Sequence, residues 1–280
     1  MSPADGWPAP AKLNLFLHVT GHRADGYHLV QTLLQFLDFG DRLHLAIRDD
    51  GEVRRTGNPE LPAEDLAVRA ARMLKAHAGI AQGADIVIDK RIPLGAGLGG
   101  GSSDAATCLI ALNRLWGANL ARDELVRLGA RLGADVPVFL FGHAALAEGI
   151  GDVLTAADPP ESWYVVVAPG VEVPTGTIFA DPQLTRSTPV TTIRGFLAGE
   201  TRNDLQPVTR RLFPEVDRAL AWLGARANAR MTGSGGAVFA PVEGRATGER
   251  ILADLPGGWR GFVTRGVNRH PLADDAPVRA

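Results

Sequence analysis

A glycine-rich run between residues 93 and 106 constrains the fold of this chain more than any other feature. It reads Pro-Leu-Gly-Ala-Gly-Leu-Gly-Gly-Gly-Ser-Ser-Asp-Ala-Ala, with five glycines in seven positions. Apolar residues at helical spacing follow, at Ala105, Leu109, Leu112 and Trp116, so the glycines should end at a helix N-terminus. Free N–H groups and the helix dipole attract anions there, and glycine lets the backbone approach them closely. The run therefore predicts a phosphate-binding loop.

The residues in and around the loop exclude some classes of phosphate-binding site. A linker is disfavoured because apolar residues flank the run on both sides, and a P-loop would require a lysine that the run lacks. The spacing of Gly95, Gly97 and Gly100 matches a dinucleotide fingerprint, but charged residues separate it from the preceding strand. A nicotinamide-dependent oxidoreductase is retained as an alternative. The cap of the helix is expected among Ser102, Ser103 and Asp104.

Composition excludes several classes of function. The chain has 280 residues, with 29 lysines and arginines against 31 acidic residues and a net charge of -2, so it lacks the basic excess that nucleic-acid binding needs. No apolar run approaches the roughly 18 residues of a membrane span, and residues 1–10 lack a signal-peptide pattern. The only cysteine, Cys108, falls in the predicted helix, which favours a core thiol. We expect a cytoplasmic protein that binds neither nucleic acid nor membrane.

Hydrophobic patterning predicts a mixed α+β chain. Residues 12–19 alternate as a half-buried strand, and a polar turn follows over 20–27. Further strands are predicted at 42–48, 84–88, 163–168, 237–240 and 261–267, and one more is predicted to end at residue 232. Helices are predicted at 65–78, 123–132, 203–212, 214–225 and 246–255. The break Asp158-Pro159-Pro160 divides the chain into domains 1–158 and 159–280, and the tail from His270 is expected to be loose.

Phosphoryl transfer without a P-loop lysine needs another positive charge and a group that accepts the proton of the acceptor hydroxyl. Lys12 stands in the alternating strand and could provide the charge, or it could be a solvent-facing lysine on an edge strand. Asp135 precedes an apolar run and could provide the base, or it could cap a helix that has Pro137 in its first turn. A second glycine turn at 232–236 is either a tight hairpin or a second wall of the phosphate site.

Three motifs, in this order, resemble those of the GHMP kinases, a family of small-molecule kinases. They are Pro10-Ala-Lys-Leu-Asn-Leu15, the glycine-serine loop, and Met231-Thr-Gly-Ser-Gly-Gly236. A closer match within the family adds residues 20–28 and 133–137, so the resemblance extends from about Pro8 to Val267. It implies two domains, an N-terminal ATP-binding domain of the ribosomal protein S5 domain 2 type and a C-terminal α+β sandwich, with the active site in the cleft between them.

The resemblance also implies roles for particular residues. Asp135 would accept the acceptor's hydroxyl proton, while Lys12 would keep that carboxylate ionised and stabilise the developing alkoxide. ATP would be the phosphoryl donor with Mg²⁺, which Ser102 or Ser103 could ligate. Asp65 would lie near adenine, where the family commonly has an asparagine. The loop residues with an implied role in ATP binding are Pro93, Leu94, Gly95, Ala96, Gly97, Leu98, Gly99, Gly100, Gly101, Ser102 and Ser103.

The closer match implies an acceptor that carries a cytidine diphosphate group and is phosphorylated on the tertiary 2-hydroxyl of an erythritol moiety, in non-mevalonate isoprenoid biosynthesis. Its cytosine would lie by Tyr27 and His28, with Phe179 as the opposite stacking surface. The weaker expected substrate contacts are Asn14, Thr175 and Asn203. Another acceptor, as in the homoserine or mevalonate kinases of the family, is the nearest alternative. A monomer or a homodimer is expected.

Overall fold

A sheet of ten strands forms the centre of the computed structural model, which describes residues 6–24 and 26–275. The strands are β1 (Trp7–His22), β2 (His28–Arg48), β3 (Val53–Thr56), β4 (Gly83–Asp89), β5 (Ala145–Glu148), β6 (Val153–Ala156), β7 (Trp163–Ala168), β8 (Arg230–Met231), β9 (Val238–Val242) and β10 (Arg260–Val267). Their order is β3-β4-β2-β10-β7-β9-β8, with β1 and β5 also paired to β2, and β6 paired to β5. Of these pairs only β3 with β4 is parallel.

The described part of the chain also contains nine helices. They are α1 (Leu66–Ala78), α2 (Gly100–Leu115), α3 (Arg122–Ala130), α4 (Val136–Phe141), α5 (Thr175–Ala180), α6 (Ile193–Leu197), α7 (Gln206–Leu212), α8 (Pro214–Gly224) and α9 (Arg245–Leu252). The mixed α+β class and most long elements are therefore confirmed. The short helices α5 and α6 were not predicted, since five or six residues give too little periodicity to detect.

The first two strands are longer than their patterns predict. The predicted strand at 42–48 is only the end of β2, whose 21 residues pair in turn with β1, β5, β10 and β4. Residues 31–37 of this strand are buried on both faces, so they lack the alternation that reveals a half-buried strand. Residues 9–19 of β1 are also buried on both faces, so the strand predicted at 12–19 from its alternation is confirmed as a strand but is fully buried and not half-buried. The predicted turn at 20–27 is shorter, because β1 continues to His22.

Three clusters of buried side chains stabilise the two halves and join them. One lies beneath α1 to α4 around Phe36 and Phe139, and another lies in the C-terminal half around Val165. The third combines Phe16 of β1 with Phe239 of β9. Since β10 also pairs with both β2 and β7, the sheet runs across the predicted boundary. The division into 1–158 and 159–280 stays a prediction.

The start of α2 differs from the expected cap. Gly99 is the N-cap residue, with φ 73°, and the helix begins at Gly100. The three polar residues expected to cap it therefore lie inside its first turns, which leaves its N-terminal backbone groups without a side-chain cap. Farther along the helix, the Cys108 thiol is buried and donates to the carbonyl of Ala67 at 3.3 Å. The prediction of a core thiol is confirmed.

The C-terminal tail is more ordered than its polar composition indicates. His270 and Leu272 are both buried, and Leu272 belongs to the cluster beneath α1 to α4, so the expectation of a loose tail is wrong for these residues. Residues 276–280 lie outside the described part of the chain. Among the residues that the structure describes, no helix is both long and apolar enough to cross a membrane.

Gly236→Ala should lower the free energy of unfolding by roughly 2 to 4 kcal/mol. Gly236 has φ 86°, and an added Cβ would overlap the carbonyl oxygen of Gly95 and lie 2.7 Å from Cα of Ala96. Urea unfolding measures the change. Gly224→Ala is the matched control, since the nearest atom to its Cβ is 4.0 Å away, and it should stay within about 0.5 kcal/mol of the wild type. Equal losses of stability in Gly236→Ala and Gly224→Ala would contradict the close contact at Gly236.

Candidate functional site

The glycine loop connects β4 to α2 and has the conformation of an anion cradle. Gly95, Gly97 and Gly99 adopt φ values of 64°, 72° and 73°, a left-handed region that side chains with a Cβ rarely occupy. The loop ends at the N-terminus of α2, where the first N–H groups have no intrahelical acceptor. The predicted location of the loop at a helix N-terminus is confirmed, and its geometry suits a phosphate group.

The second glycine turn is both a hairpin and a wall of the loop. It connects the antiparallel strands β8 and β9, and it packs directly on the first loop. A Cβ on Gly97 would lie 2.6 Å from the carbonyl oxygen of Gly235 and 3.0 Å from that of Thr232. Asn203 supports the turn from behind, donating through Nδ2 to the carbonyls of Met231 at 3.0 Å and Gly233 at 2.8 Å. The hairpin alternative is therefore confirmed, and the turn also packs on the glycine loop, while its part in a phosphate site stays a prediction.

Lys12 lies at the centre of the site with its ammonium group out of solvent. Its side chain is only 3% exposed, so the alternative of a solvent-facing lysine is wrong. Nζ donates to Oδ1 of Asn14 at 2.6 Å and to the carbonyl of Gly97 at 2.9 Å. It lies 3.5 Å from Oδ2 of Asp135. Because a buried charge is costly without partners, these three oxygen atoms are what allows the ammonium to be buried.

The side chain of Asn14 is fixed by its own hydrogen bonds. Its Nδ2 donates to Oγ1 of Thr32 at 2.9 Å, and that hydroxyl donates in turn to the carbonyl of Phe16 at 2.5 Å. The backbone N–H of Asn14 donates to Oγ1 of Thr232 at 2.9 Å. With the amide nitrogen used by Thr32, the amide oxygen faces Lys12. Asn14 therefore orients the lysine and ties β1 to the second glycine turn.

Asp135 occupies the N-cap position of α4 but does not act as a side-chain cap. It makes no side-chain hydrogen bond to the helix, and its side chain is 46% exposed. The sequence-based alternative of a capping aspartate is therefore correct for its position and wrong for its contacts. The carboxylate faces the same cavity as Lys12 and is available to a ligand there.

A cavity of about 430 Å³ brings most of the predicted acceptor residues together. The lining residues that the sequence singled out are Lys12, Asn14, Tyr27, His28, Gly97, Asp135, Thr175, Phe179 and Ser234. At one end, the rings of His28 and Phe179 lie 5.0 Å apart, and Tyr27 is 61% exposed. At the other end are the lysine and the carboxylate. One cavity thus joins an aromatic end to a charged end beside the glycine loop.

Two predicted site residues have other partners in the structure. The amide of Asn203 is used by the second glycine turn, and Asn203 is absent from the cavity lining. Asp65 is the N-cap of α1 and accepts from the N–H groups of Ala67 and Val68. Its Oδ2 lies 2.5 Å from Nε of Arg55, and both side chains are largely buried. Their roles in binding substrate and adenine stay predictions.

A buried trio beneath the glycine loop was missed by the sequence patterns. Nζ of Lys90 lies 2.5 Å from Oδ2 of Asp41 and 2.7 Å from Oδ2 of Asp104. Asp41 also accepts from the N–H groups of Arg91 and Ile92, at 2.6 and 2.7 Å. Burial, together with the Asp41 carboxylate, raises the pKa of Asp104 to about 7, against the lowering effect of Lys90. The trio joins β2 to the start of α2 and so holds the loop in place.

Comparison with known proteins finds two family models that match the chain. The family model described as the GHMP kinases N terminal domain matches residues 65–143, and the one described as GHMP kinases C terminal matches residues 192–260. The chain is 57% identical over 267 residues to the 4-diphosphocytidyl-2-C-methyl-D-erythritol kinase of Aromatoleum aromaticum, covering 95% of this chain and 94% of that protein.

Solved structures agree with these sequence matches. A crystal structure of a 4-(cytidine 5'-diphospho)-2C-methyl-D-erythritol kinase aligns with a TM-score of 0.82 at 36% identity, over 93% of this chain and 99% of that one. A homoserine kinase from Cytophaga hutchinsonii aligns with a TM-score of 0.68 at 20% identity, over 94% of each chain. The second likeness concerns the fold alone.

Asp104→Asn should change how the stability of the protein depends on pH. The folded-state pKa of Asp104, about 7, lies above the ordinary value of 3.8, so the folded state retains a proton that the unfolded state releases in this range. This residue therefore makes the free energy of unfolding fall as pH rises from about 4 to about 7. The asparagine variant lacks that contribution and should gain stability relative to the wild type as pH rises.

Urea unfolding at about pH 5 and about pH 8 measures the effect. The exposed Asp49→Asn is the matched control and should follow the wild type at both values. A constant difference between Asp104→Asn and the wild type at the two pH values would show that Asp104 is ionised throughout.

Proposed function

The chain belongs to the GHMP kinases and, within them, to the 4-diphosphocytidyl-2-C-methyl-D-erythritol kinases, and we propose that it transfers the γ-phosphoryl group of ATP to the 2-hydroxyl of 4-diphosphocytidyl-2-C-methyl-D-erythritol. One observation carries the proposal. A single cavity contains the Lys12 and Asp135 pair beside the glycine loop and an aromatic end formed by Tyr27, His28 and Phe179. This arrangement suits an acceptor with a hydroxyl group at one end and a pyrimidine base at the other.

ATP is the phosphoryl donor in this family, and the glycine loop supports that role. Left-handed glycines and the start of α2 direct backbone N–H groups outward, where phosphate oxygens can accept from them. Gly97 belongs both to this loop and to the cavity lining. The terminal phosphate of a nucleotide held by the loop would therefore be next to the acceptor cavity.

Asp135 is proposed to accept the proton of the acceptor hydroxyl. As the 2-hydroxyl oxygen bonds to the γ-phosphorus, the bond from that phosphorus to the β–γ bridging oxygen breaks, the hydroxyl proton passes to the carboxylate, and ADP leaves. The distance of 3.5 Å from Lys12 exceeds that of a charge-assisted hydrogen bond, typically about 2.7 to 2.9 Å. Lys12 therefore acts on the carboxylate through its charge and leaves an oxygen free to accept the proton.

Lys12 is proposed to stabilise the oxygen that loses this proton. Its ammonium has three N–H donors, of which two are directed to Asn14 and to the carbonyl of Gly97. The third is left for the developing alkoxide. Because the ammonium is already fixed and desolvated, stabilising the alkoxide requires little reorganisation at the moment of transfer.

Mg²⁺ is proposed to bind together with the nucleotide. Among the described residues, no group of three His, Cys, Asp or Glu side chains could hold a metal, which fits an ion bound mainly by phosphate oxygens. Ser102 and Ser103 lie in the first turn of α2, and Oγ of Ser103 is buried without a hydrogen-bond partner there. Either hydroxyl would be a suitable oxygen ligand. When bound, the ion would neutralise charge on the β- and γ-phosphates.

The oxidoreductase alternative does not fit the strand before the loop. A dinucleotide fingerprint begins directly at the end of a parallel strand. Here β4 pairs in parallel with β3, but it ends at Asp89, well before Gly95, so the glycines do not follow the strand directly. The glycine spacing therefore belongs to a kind of loop other than the dinucleotide-binding one.

The acceptor preference tests the proposal. ADP release should be measured with ATP and Mg²⁺ in the presence of 4-diphosphocytidyl-2-C-methyl-D-erythritol, mevalonate or homoserine. We expect kcat/KM for the cytidyl acceptor to exceed the others by at least about 10³-fold, since the aromatic end of the cavity would be unfilled by either small acid. A preference for mevalonate or homoserine would assign the site to another kinase of the family.

Asp135→Asn should lower kcat by about 10² to 10⁴-fold, because the variant cannot accept the hydroxyl proton. The side chain is half exposed and makes no helix cap, so the thermal unfolding midpoint should change little. Steady-state kinetics and thermal unfolding measure the two effects. The exposed Asp254→Asn serves as the matched control and should keep wild-type kcat. Turnover near that of the wild type in Asp135→Asn would remove the aspartate from the reaction.

A further inference from the structure

A second cavity, of about 340 Å³, lies where the start of β1 meets β2 and the end of β10. Among the described residues, it shares none of its lining with the acceptor cavity, and it contains none of the loop residues 93–103. The proposed reaction does not use it. Its volume is nevertheless in the range of cavities that bind small ligands.

The guanidinium group of Arg91 is held at this cavity by an aromatic stack. It lies over the ring of Phe39, 4.9 Å from the ring centroid, and Phe39 stacks in turn on Phe262 at 3.9 Å with an interplanar angle of 17°. In residues 6–24 and 26–275, no oxygen atom accepts a hydrogen bond from this guanidinium. Stacking uses the face of the planar group and leaves the N–H donors at its edge. Because Arg91 lines the cavity, an acceptor that enters it can reach these donors.

Both carboxylates in the lining are bonded to other donors. Asp41 is paired with Lys90 at 2.5 Å and also accepts from two backbone N–H groups. Oδ1 of Asp38 accepts from the hydroxyl of Thr264 at 2.5 Å and from the backbone N–H of Arg265 at 2.7 Å. Neither acid is therefore the partner of the stacked guanidinium.

Two more guanidinium groups line the same cavity, those of Arg42 and Arg269. Arg269 donates to Oδ1 of Asp274 at 2.9 Å, and the two side chains are 67% and 88% exposed. An exposed ion pair contributes little to stability, so an anion in the cavity can compete for this arginine. With three guanidinium groups against two carboxylates, the lining favours a negatively charged ligand. Phosphate is the anion whose oxygens best match the planar fork of arginine donors.

The rest of the cavity wall is mostly apolar, which indicates that a bare anion is not its whole ligand. Apolar surface gains by covering a carbon skeleton, whereas it offers nothing to the oxygens of a phosphate group. The apolar lining residues are Pro8, Ala9, Pro10, Leu37, Val267 and Pro271.

We propose that this cavity is a second ligand site of the protein and binds a small organic phosphate, with the phosphate group on Arg91 and the carbon part against the apolar wall. The site goes beyond the proposed reaction, since it uses neither the acceptor cavity nor the glycine loop. Arg91 belongs to the segment between β4 and that loop, and its backbone N–H donates to Asp41 at 2.6 Å. The ligand would thus lie beside the segment that leads into the loop without entering the nucleotide site.

Phenyl phosphate combines the two parts of such a ligand, and calorimetry on the full-length protein measures its binding. The titration is made with saturating ADP, Mg²⁺ and CDP, so that the glycine loop and the acceptor cavity are occupied. We expect one phenyl phosphate to bind per chain with a Kd of about 1 mM or lower, a value ordinary for so small a ligand. Displacement of phenyl phosphate by the nucleotides, or the absence of binding, would overturn the proposal.

Arg91→Gln should raise the Kd of phenyl phosphate by about 10 to 100-fold, because it removes hydrogen bonds between charged groups. Arg91 is exposed, so the variant should fold like the wild type. Arg226→Gln is the matched control, since Arg226 also stacks on a ring, that of Trp222 at 4.3 Å, but does not line the cavity. It should keep the wild-type Kd. Equal Kd values in Arg91→Gln and the wild type would overturn the proposal.

Inorganic phosphate and phenol test the two parts of the ligand separately. Each should bind at least about 10-fold more weakly than phenyl phosphate, since each makes only one of the two kinds of contact. Inorganic phosphate that binds as tightly as phenyl phosphate would indicate an anion site with no place for a carbon part, and it would overturn the proposal. Phenol that binds as tightly would do so as well. Absence of phosphoryl transfer with normal binding of phenyl phosphate would count against the proposed function and not against this inference.

Discussion

The burial of one ammonium group, that of Lys12, is the constraint around which the site is built. Removing such a charge from water costs several kcal/mol unless other groups compensate for it. Here the compensating oxygens come from three separate parts of the fold: β1 itself, the glycine loop and the start of α4. A shift of any one of these three parts would leave the Lys12 ammonium with too few oxygen partners. The requirement to satisfy this ammonium thus fixes the positions of the loop and Asp135 relative to each other.

Backbone contact between the two glycine turns provides the second constraint, and it explains why both turns need glycine. Gly97 and Gly236 each lie where an added Cβ would meet the backbone of the opposite turn. One turn belongs to the segment before α2 and the other to the β8–β9 hairpin, so the contact joins distant parts of the chain. The carbonyl of Gly97 then accepts from Lys12. The same residue therefore links the contact between the turns with the charge at the centre of the site.

Local sequence predicts the phosphate loop well, because anion binding by a helix N-terminus depends on glycines and helical spacing that are contiguous in the chain. It predicts Lys12 and Asp135 poorly. The alternation of apolar and polar residues shows that a strand has two different faces, but it does not show what packs on the polar face. Lys12 was therefore compatible with a surface lysine, although β1 is buried on both faces. Asp135 lies at a helix start, where position alone favours capping. Asp41, Lys90 and Asp104 were missed because no periodicity relates three residues that meet only in the folded chain.

The donor and acceptor sides of the cavity differ in how recognition is encoded. Backbone N–H groups bind phosphate whatever side chains surround them, provided that the chain can adopt the required φ values. The aromatic end depends instead on the direction of single side-chain hydrogen bonds, and His28 can present either a donor or an acceptor from the same ring. Its identity alone therefore does not define the base that it would bind. Arg186, 158 residues away in sequence, donates to Nε2 of this ring, so the donor and acceptor positions of His28 are set by a contact from the C-terminal half of the chain.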